Sequence, residues 1–571
     1  MTGADAAGLA SLTRAEALLA RGAFDEAGKA LLEAAAQLSD TAALCRCAEL
    51  LVGARQDAAA TDLAERIARK QSADFAWCWN FAGHMRAKGD LLASRRVLAA
   101  ARDAMREEGG NRLRAELGLA LGLPSVYTSN AQLEDIRAQF AQGLAQFAAK
   151  YTSVEIRRIA AAPEDLSWSN FLLAYHGQDD RALQSDFGDW LSAGLGVLLP
   201  ACAEAASVPP RTRPRVAFVS SSFHRCTVGF YFAAWIEYLA RVDWEVVLVH
   251  VGTRRDQLSE RLGRAAQSEL TLAGTIAENA RALHALAADL IVYPELGMDR
   301  DVFALAALRL ARRQACAWGH PVSSGLPSID AFISCAAMEP PDAAGHYREQ
   351  LITLPGLGTR YLSPRVPDAP TRAELGLPAQ RPLYLVPQAL FKLHPDHDAV
   401  LVEILRRDPQ ALFVLFELRA PSGVWRTRER LLQALGNVSA QPEQHLHWFA
   451  ECSRLDYLRI NLACDVMVDS LHWSGGNATL DALHCGLPVV TCPGSYMRGR
   501  QSAAMLQALD CAGLIAQTPL QLAEIAVAIA HDASRRAPLK QKITANLPRL
   551  TASDAPLQAL DRALRELLQA P

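Results

Sequence analysis

This sequence lacks the features that mark several large classes of protein. Its 571 residues carry a formal net charge of −3, so there is no basic surplus to attract nucleic acid. No apolar run reaches the roughly 18 residues of a membrane span, and the first residues lack the basic region of a secretory signal. These absences predict a cytoplasmic protein without a membrane span and without a nucleic-acid partner.

Cysteine pairs with the spacing of metal ligands are also missing. The chain has twelve cysteines, none in a CxxC pair, and the two closest, Cys45 and Cys47, are too near each other for ordinary metal ligation. We therefore expect reduced thiols, as in cytoplasmic proteins. Half of the residues are apolar, which is enough for sizeable cores, and the length allows roughly three to four domains.

Residues 1–205 are predicted to form an all-α domain, because they are rich in Ala, Leu, Arg and Glu and have few β-branched runs. The segment Gly22–Ala27 is faintly repeated as Gly89–Ser94, which is typical of tetratricopeptide (TPR) repeats with a period of about 34 residues. The interval around Gly53 is irregular, so we expect few or degenerate repeats. Such helices could form a partner-binding groove or a cap on the rest of the protein.

Beyond a linker rich in proline and arginine at 207–215, the pattern changes to alternating strands and helices. Eight buried-strand runs are predicted at 216–220, 246–250, 290–293, 383–386, 412–416, 445–449, 466–468 and 489–490. A second loose stretch, 363–382, divides them. We predict two Rossmann-like domains, 214–370 and 380–540, with a cleft between them, followed by a C-terminal helix at 541–571.

The most informative stretch predicts an anion site. A strand ending at Asp469 leads into a loop with Gly475 and Gly476, and a helix begins near Asn477. The first N–H groups of such a helix are unpaired, and its positive dipole end attracts phosphate. Asp481, in the first turns of the helix, could accept ribose hydroxyls. The segment is therefore interpreted as the holder of a nucleotide diphosphate.

Six motifs in this order resemble one family. They are Val219–Gly229, Gly319–Gly325, Gln388–Lys392, Ser474–Leu483, Gly486–Thr491 and Pro493–Arg500. Together they resemble the O-GlcNAc transferase and SPINDLY-like glycosyltransferases and the related bacterial cytoplasmic N-glycosyltransferases. The resemblance covers about residues 215–515. It implies the GT-B fold, two Rossmann-like domains around a cleft, with helical repeats ahead of them.

The resemblance also implies roles for residues that would hold the sugar donor. Lys392 would contact the diphosphate, although a lysine considered alone is more often a solvated surface residue. The backbone of Asn477, Ala478 and Thr479 would face the phosphates, with the Thr479 hydroxyl in addition. Asp481 would bind the ribose; the alternative is an acid that only favours the helix dipole.

Further donor-side residues are implied in the same way: Gln388, Cys452, Arg454, Gly476, Arg498 and Arg500. The base would be recognised by backbone near Cys452 and covered by Arg454, which could instead be a surface helix residue. The family usually has His or Thr where Gly476 and Asn477 stand here. Arg498 and Arg500 either hold the donor or pair with acids.

The acceptor side offers two histidines as candidates for catalysis. His224 and His320 both follow strand-like segments of the first Rossmann-like domain, so both could face the cleft. The family's acceptor-loop histidine corresponds best to Cys226, two residues after His224. Asp299 and Asp301 spell a DxD metal motif, but they precede a helix, where Asp is a favoured cap.

We therefore predict an inverting, metal-independent glycosyltransferase without a cofactor. It would move GlcNAc or another hexose from a UDP-sugar onto Ser or Thr of a protein acceptor, by resemblance a bacterial flagellin, pilin or adhesin. Three alternatives stay open. Gly319-His-Pro321 resembles the N-glycosyltransferases and would fit Asn acceptors. A nucleotide-sugar epimerase could share the fold, and the Cys226 difference would suit a catalytically inactive partner-binding protein.

Overall fold

A helical region precedes two parallel α/β sheets in the computed structural model, which describes residues 3–70, 74–205, 207–417 and 424–570. The predicted fold class is confirmed: an all-α N-terminal region is followed by two Rossmann-like domains with a cleft between them. Residues 1 and 571, where the outermost predicted domains begin and end, lie outside the described residues.

The helical region consists mainly of antiparallel helix pairs. Its helices are α1 Gly3–Ala20, α2 Phe24–Gln37, α3 Thr41–Gly53, α4 Asp57–Ala68, α5 Phe75–Ala87, α6 Leu91–Ala104, α7 Gly110–Leu121, α8 Asn130–Lys150, α9 Ser153–Ile159 and α10 Arg181–Leu198. Carboxylate caps start several of them: the Asp40, Asp74 and Asp90 side chains accept backbone N–H groups at the starts of α3, α5 and α6. Small buried residues along these helices let the pairs pack closely.

Three of the turns within helix pairs follow a regular period. Each contains a residue in the left-handed region: Gly22 (φ 74°), Arg55 (φ 61°) and Gly89 (φ 82°), spaced 33 and 34 residues apart. The middle turn escaped the sequence comparison because Arg55 stands where the other two turns have glycine. The helix pairs are thus more regular than the sequence indicates, and the TPR assignment itself stays a prediction.

The last helices of this region pack on both α/β domains. Phe187 of α10 stacks on Phe303 of the first domain, with ring centroids 6.0 Å apart. Arg430 of the second domain donates to the Tyr127 carbonyl at 2.6 Å. Of the two predicted roles, this part of the region has the geometry of a cap.

The first α/β domain is a seven-stranded parallel sheet in the order β3-β2-β1-β4-β5-β6-β7. Its strands are β1 Arg215–Ser220, β2 Glu245–Val251, β3 Ser268–Leu272, β4 Leu290–Tyr293, β5 Arg313–Ala317, β6 Ala331–Cys335 and β7 Gln350–Leu354. Its helices are α11 Thr227–Leu239, α12 Gln257–Ala265, α13 Ile276–Ala285 and α14 Arg300–Ala306. The strand order reverses between β1 and β4, which opens a crevice at their carboxyl ends.

The second α/β domain is a five-stranded parallel sheet in the order β10-β9-β8-β11-β12. Its strands are β8 Leu383–Leu385, β9 Leu412–Phe416, β10 Leu446–Phe449, β11 Val466–Val468 and β12 Val489–Val490. Its helices are α15 Asp396–Arg407, α16 Val424–Leu435, α17 Arg454–Ala463, α18 Asn477–His484, α19 Gln501–Ala508 and α20 Pro519–His531. The reversal between β8 and β11 faces the first domain.

The C-terminal segment differs from the single helix predicted at 541–571. It contains α21 Ala533–Asn546, α22 Pro548–Thr551 and α23 Ala555–Gln569, so the predicted boundary falls inside α21. Helix α23 returns to the first α/β domain, where Asp561 accepts the indole N–H of Trp244 at 2.6 Å. None of the described helices is long and apolar enough to cross a membrane.

Candidate functional site

A cavity of about 490 Å³ lies between the two α/β domains. The first domain contributes Thr227, Tyr231, Trp318, Gly319 and Pro321 to its wall. Eight of the residues predicted on the donor side line it as well: Gln388, Lys392, Cys452, Arg454, Gly476, Asn477, Ala478 and Asp481. Segments far apart in sequence therefore meet at the carboxyl edges of both sheets.

A buried carboxylate orders the glycine loop that precedes α18. Asp469, at the end of β11, accepts the Gly475 N–H at 2.7 Å and the Thr491 hydroxyl at 2.7 Å. Burial raises the pKa of Asp469, and its hydrogen bonds offset part of that shift. The Ser502 hydroxyl donates to the Gly475 carbonyl at 3.0 Å. These bonds fix the loop so that it delivers the chain into α18.

The N-terminus of α18 faces the cavity. Gly476 precedes the helix, and its carbonyl accepts the Leu480 N–H at 3.0 Å as the first hydrogen bond of the helix. The N–H groups of residues 477–479 therefore come before the helical hydrogen bonds begin. Gly476 also allows a close approach between domains: a methyl group there would overlap the Tyr231 hydroxyl and lie 2.7 Å from Gln501 Oε1. The arrangement is an anion site built from backbone.

Thr479 differs from its predicted role in one respect. Its side chain is fully buried and its hydroxyl shares a 2.7 Å hydrogen bond with Ser502, so it does not line the cavity. The hydroxyl therefore supports the loop rather than a ligand, and only the backbone N–H of Thr479 remains available at the helix start.

Lys392 lines the same cavity as this helix start. It ends a short 3₁₀ turn, Leu390–Lys392, and its ammonium lies 5.5 Å from the centroid of the Trp473 ring. Burial lowers the pKa of Lys392 to about 8, although the Asp469 carboxylate acts in the opposite direction. Within the described ranges it forms no ion pair, which leaves its charge available to an anion.

Asp481, Arg454 and Asn477 form a polar group at the other end of the cavity. Arg454 contacts Asp481 Oδ1 at 2.7 Å, and the Asn477 amide donates to Oδ2 at 2.9 Å. Burial raises the pKa of Asp481 to about 6 against the effect of Arg454 and Asn477. The Arg454 guanidinium also lies 5.0 Å from the Phe230 ring centroid, so it bridges the two domains.

Five buried polar atoms of cavity-lining residues have no hydrogen-bond partner among the described residues: Tyr231 Oη, Trp318 Nε1, Gln388 Nε2, Tyr457 Oη and Gln501 Oε1. Buried polar atoms are nearly always paired, so these groups require a ligand or water in the cavity. Sequence reasoning missed Tyr231, Gln501 and the cavity-lining Trp473. Gln501 follows directly on the motif that ends at Arg500, and Tyr231 follows the motif that ends at Gly229; extending both motifs would have found them.

His320 lies beside the cavity wall rather than in it. Gly319 and Pro321 line the cavity, while the His320 ring packs 5.3 Å from the ring of Phe171 and 5.9 Å from that of Trp473. The pKa of His320 is lowered to about 3, mainly because the ring is buried and in addition because Arg498 and Lys392 are positively charged. The imidazole is therefore neutral near pH 7 and is a weak base.

His224 is buried in the loop between β1 and α11 and does not line the cavity. The pKa of His224 is lowered, mainly by burial and in addition by the positive charge of Arg254. Cys226, two residues on, precedes α11, and its thiol donates to the Ser222 carbonyl at 3.3 Å. The structure therefore does not bring His224 and His320 together in the cavity.

The two predicted donor-side arginines beyond β12 also lie outside the cavity lining. Arg498 is buried and pairs with Asp180 of the helical region at 3.1 Å, which corrects its expected place beside the donor. Arg500 donates to the Gly494 carbonyl at 3.1 Å. Arg498 was predicted either to hold the donor or to pair with an acid, and the structure shows the pair with an acid.

The DxD sequence has a structural use. Asp299 accepts the N–H groups of Asp301 and Val302 at 2.9 and 3.0 Å, as the cap of α14. Asp301 accepts the Ser167 hydroxyl at 2.9 Å, which ties the helical region to the first domain. Asp299 is thus a helix cap, as its place before a helix predicted, whereas Asp301 lies within α14 and bonds to the helical region instead.

Comparisons with known proteins agree with this geometry. Residues 362–553 match the model of glycosyl transferase family 41. A probable UDP-N-acetylglucosamine–peptide N-acetylglucosaminyltransferase, SPINDLY from Petunia hybrida, is 23% identical over 239 residues, 42% of this chain and 25% of that protein. Its counterpart SEC from Arabidopsis thaliana is 25% identical over 261 residues, 44% of this chain and 26% of that protein. The chain thus spans about a quarter of the length of these relatives.

A solved structure extends the likeness to the whole fold. A mutant O-GlcNAc transferase from Thermobaculum terrenum aligns with 100% of this chain and 98% of its own, with a TM-score of 0.64 and 22% identity. The predicted resemblance to O-GlcNAc-transferase-like proteins with the GT-B fold is confirmed, and the matching family and relatives are named as glycosyltransferases, the enzyme class that was predicted.

Proposed function

We propose that this O-GlcNAc-transferase-like protein is an inverting, metal-independent transferase that moves GlcNAc or another hexose from a UDP-sugar onto Ser or Thr of a protein acceptor. The observation that carries the proposal is the cavity itself. It brings together a helix N-terminus, a lysine that forms no ion pair with any described residue, and buried polar atoms without a partner in the described part of the chain. The names of the SPINDLY and SEC relatives describe transfer of N-acetylglucosamine from UDP to peptide, which supports the choice of donor and acceptor.

The diphosphate would lie between Lys392 and the start of α18. As the bond to the sugar breaks, negative charge grows on the leaving diphosphate, and preorganised donors lower the energy of that state most. The N–H groups of residues 477–479 and the Lys392 ammonium supply such donors without rearrangement. This positive charge does the work that a divalent ion does in other transferases, so the proposal needs no metal in the cavity.

The nucleoside would occupy the end of the cavity near Asp481. Its carboxylate is the acceptor best placed for ribose hydroxyls, and the pKa near 6 leaves it ionised at neutral pH. Cys452 and Arg454 line the adjoining wall, where the base would stack and receive backbone hydrogen bonds. Gln388 and Gln501 would use their unpartnered amide atoms on the sugar or phosphates.

The acceptor would approach from the first domain, which provides Thr227, Tyr231 and Gly319 on the opposite wall. A hydroxyl there could attack the anomeric carbon in line with the leaving diphosphate, which inverts the configuration. The low pKa of His320 disfavours it as the proton acceptor. Asn remains the second candidate acceptor, because Gly319 and Pro321 of the Gly-His-Pro sequence line the cavity.

Nucleotide binding tests the donor side first. Purified protein is titrated with UDP, GDP, dTDP and their sugar conjugates, with and without EDTA, and its melting temperature is followed. We expect a UDP-selective rise that EDTA does not abolish, equivalent to about 2.7 kcal/mol at a hundredfold excess over Kd. The rise should be lost in Lys392→Ala and kept in Lys542→Ala, a change of an exposed lysine on α21.

Transfer is then assayed with the nucleotide sugar that binds best, on bacterial lysate proteins and on Ser-, Thr- and Asn-containing peptides. We expect the sugar to be attached to Ser or Thr. Attachment to Asn would instead make Asn the acceptor. Epimerised donor in the absence of acceptor would indicate an epimerase. No binding of any nucleotide would contradict the proposal and favour a partner-binding protein. Flagellin, pilin and adhesin stay predictions, as does a cytoplasmic location.

A further inference from the structure

Two imidazoles and one carboxylate converge beside the cavity. Asp396, the first residue of α15, has its Oδ2 2.7 Å from His472 Nε2 and 3.4 Å from His394 Nδ1. The three ligand atoms all lie within 4.8 Å of one another. Among the described residues, this is the one group of three His, Cys, Asp or Glu side chains with such spacing.

The ring of His394 is held in the tautomer that a metal requires. Its Nδ1 accepts the Asp396 backbone N–H at 3.2 Å, so Nδ1 carries no proton, and a bound ion would take the place of this hydrogen bond. The ring also hydrogen-bonds the backbone of His176 in the helical region. Histidine ligands of metals characteristically use their second nitrogen in this way.

The other two side chains are supported from outside as well. The Asn130 amide donates to Asp396 Oδ1 at 2.6 Å, which leaves Oδ2 for the imidazoles. His472 has a left-handed backbone (φ 65°), and its ring packs against Gly177, where a methyl group would lie 2.8 Å from His472 Cγ. Residues of the helical region thus fix both the carboxylate and the second imidazole.

We propose that His394, Asp396 and His472 bind one divalent transition-metal ion, with Zn²⁺ as the ion to test. Two imidazoles and one carboxylate suit borderline ions, and three protein ligands leave the fourth position to water. Bonds of about 2.0–2.2 Å in tetrahedral geometry place ligand atoms roughly 3.3 Å apart. The carboxylate–imidazole distances of 2.7 and 3.4 Å lie within about 0.6 Å of this spacing, and the two imidazole nitrogens, within 4.8 Å of each other, need to approach by about 1.5 Å or less. Asp396 and His472 are partly exposed, so the ion has a route in.

The ion would act as a clamp at the junction of three domains. His472 precedes Trp473, and His394 follows Lys392 by two residues, so the site adjoins both loops of the cavity wall. Tyr175 of the helical region packs on Trp473 at 4.3 Å between ring centroids. The site lies outside the cavity lining, so the proposal is independent of the transferase chemistry and compatible with metal-independent transfer.

The test is metal binding by the full chain after EDTA treatment and removal of the chelator. Isothermal titration with Zn²⁺ should give one site per chain. His394→Ala, Asp396→Asn and His472→Ala should each weaken it by more than the 10- to 100-fold expected of an outer-shell change. Asn130→Ala, which removes only the support of Asp396, should weaken it by about tenfold. His284→Ala, whose ring contacts the Glu204 carbonyl far from the group, is the matched control and should bind normally.

Co²⁺ identifies the ligands spectroscopically. Visible d–d bands of tetrahedral or five-coordinate Co²⁺ without thiolate charge-transfer bands are expected, and they should vanish in His472→Ala. Thiolate bands would place the ion on cysteines and overturn the proposal. So would the absence of a stoichiometric site, or equal binding by all three ligand variants. Far-UV circular dichroism in EDTA checks that each variant is folded. If His472→Ala is not folded, His472→Gln is tested in its place.

Discussion

The two α/β domains share an architecture but contribute different chemistry to the cavity between them. The wall from the first domain, Thr227, Tyr231, Trp318, Gly319 and Pro321, carries no charge. The wall from the second domain carries five charged residues and a helix N-terminus; the charged residues are Lys392, Arg454, Glu417, Glu451 and Asp481. The charged nucleotide end of a donor therefore matches one domain, and the other offers a neutral surface for the group that receives the sugar.

The difference arises in the loops at the carboxyl ends of the strands. In the second domain, buried Asp469 ties a glycine loop to β12 and directs the start of α18 into the cavity. In the first domain, the loop after β1 does not line the cavity, and His224 within it is buried. The two sheets are similar, but the second domain presents a helix N-terminus that can bind an anion, whereas the first domain presents an uncharged wall with hydroxyl groups.

Removing the charge of the second domain should have the largest effect. Lys392→Ala is expected to lower kcat by about 10²–10³-fold, since one preorganised donor to a developing anion is worth that much. Steady-state transfer rates measure it, with Lys542→Ala as the surface control. A rate within threefold of wild type, in a variant with an unchanged melting temperature, would remove Lys392 from the diphosphate site.

Crowding the contact between Gly476 and Tyr231, which joins the two domains, should have the next largest effect. Gly476→Ala places a methyl group against the Tyr231 hydroxyl, and overpacking of this kind costs about 1–3 kcal/mol. We expect UDP affinity to fall by roughly 10- to 100-fold, as measured by calorimetry. Adding Tyr231→Phe should restore part of the loss. If the double variant binds no better than Gly476→Ala, the contact between domains is not the cause.

The charge of Lys392 should also set a pH limit. Burial lowers its pKa to about 8, so the ammonium is present below that pH and is lost above it. UDP affinity should be constant near pH 7 and about tenfold weaker at pH 9, because only the charged form attracts diphosphate. Lys392→Arg, whose guanidinium stays charged, should bind with little change over this range. A pH-independent wild-type Kd would contradict the assignment.

A single neutral group from the first domain should matter less. Tyr231→Phe removes one unpartnered hydroxyl from the cavity wall, and one hydrogen bond contributes about 0.5–1.5 kcal/mol. We expect donor affinity or kcat/KM to fall by roughly 2- to 10-fold, with the phenyl ring keeping its packing on Tyr361. A loss as large as that of Lys392→Ala would mean that the first domain also carries catalytic chemistry.

The smallest effect is expected for His224. Because it lies outside the cavity, His224→Ala should leave the transfer rate within about twofold of wild type. His320→Ala should act through packing on Phe171 and Trp473, lowering the melting temperature without changing the pH–rate profile. Loss of the acidic limb of the pH–rate profile in either variant would identify that histidine as the proton acceptor after all.

The strands show where sequence patterns suffice. Runs of buried β-branched and aliphatic residues predicted β4, β9 and β11 with the bounds that the structure has. Strands β3, β5, β6 and β7 were missed. Most of β3 is exposed at the sheet edge, and β5 and β6 combine small or polar residues whose burial comes from neighbouring strands. Their hydrophobic pattern is set by the sheet rather than by the segment.

The sequence by itself determined the order of the domains, the glycine loop before α18 and most of the charged residues of the cavity, because each depends on a local pattern of strand, loop and helix. Only the tertiary structure decided that Arg498 pairs with Asp180, that Thr479 bonds to Ser502 and that Tyr231 closes on Gly476. These contacts join residues 23 to 318 positions apart. Their energies depend on how whole domains pack, which no single segment encodes.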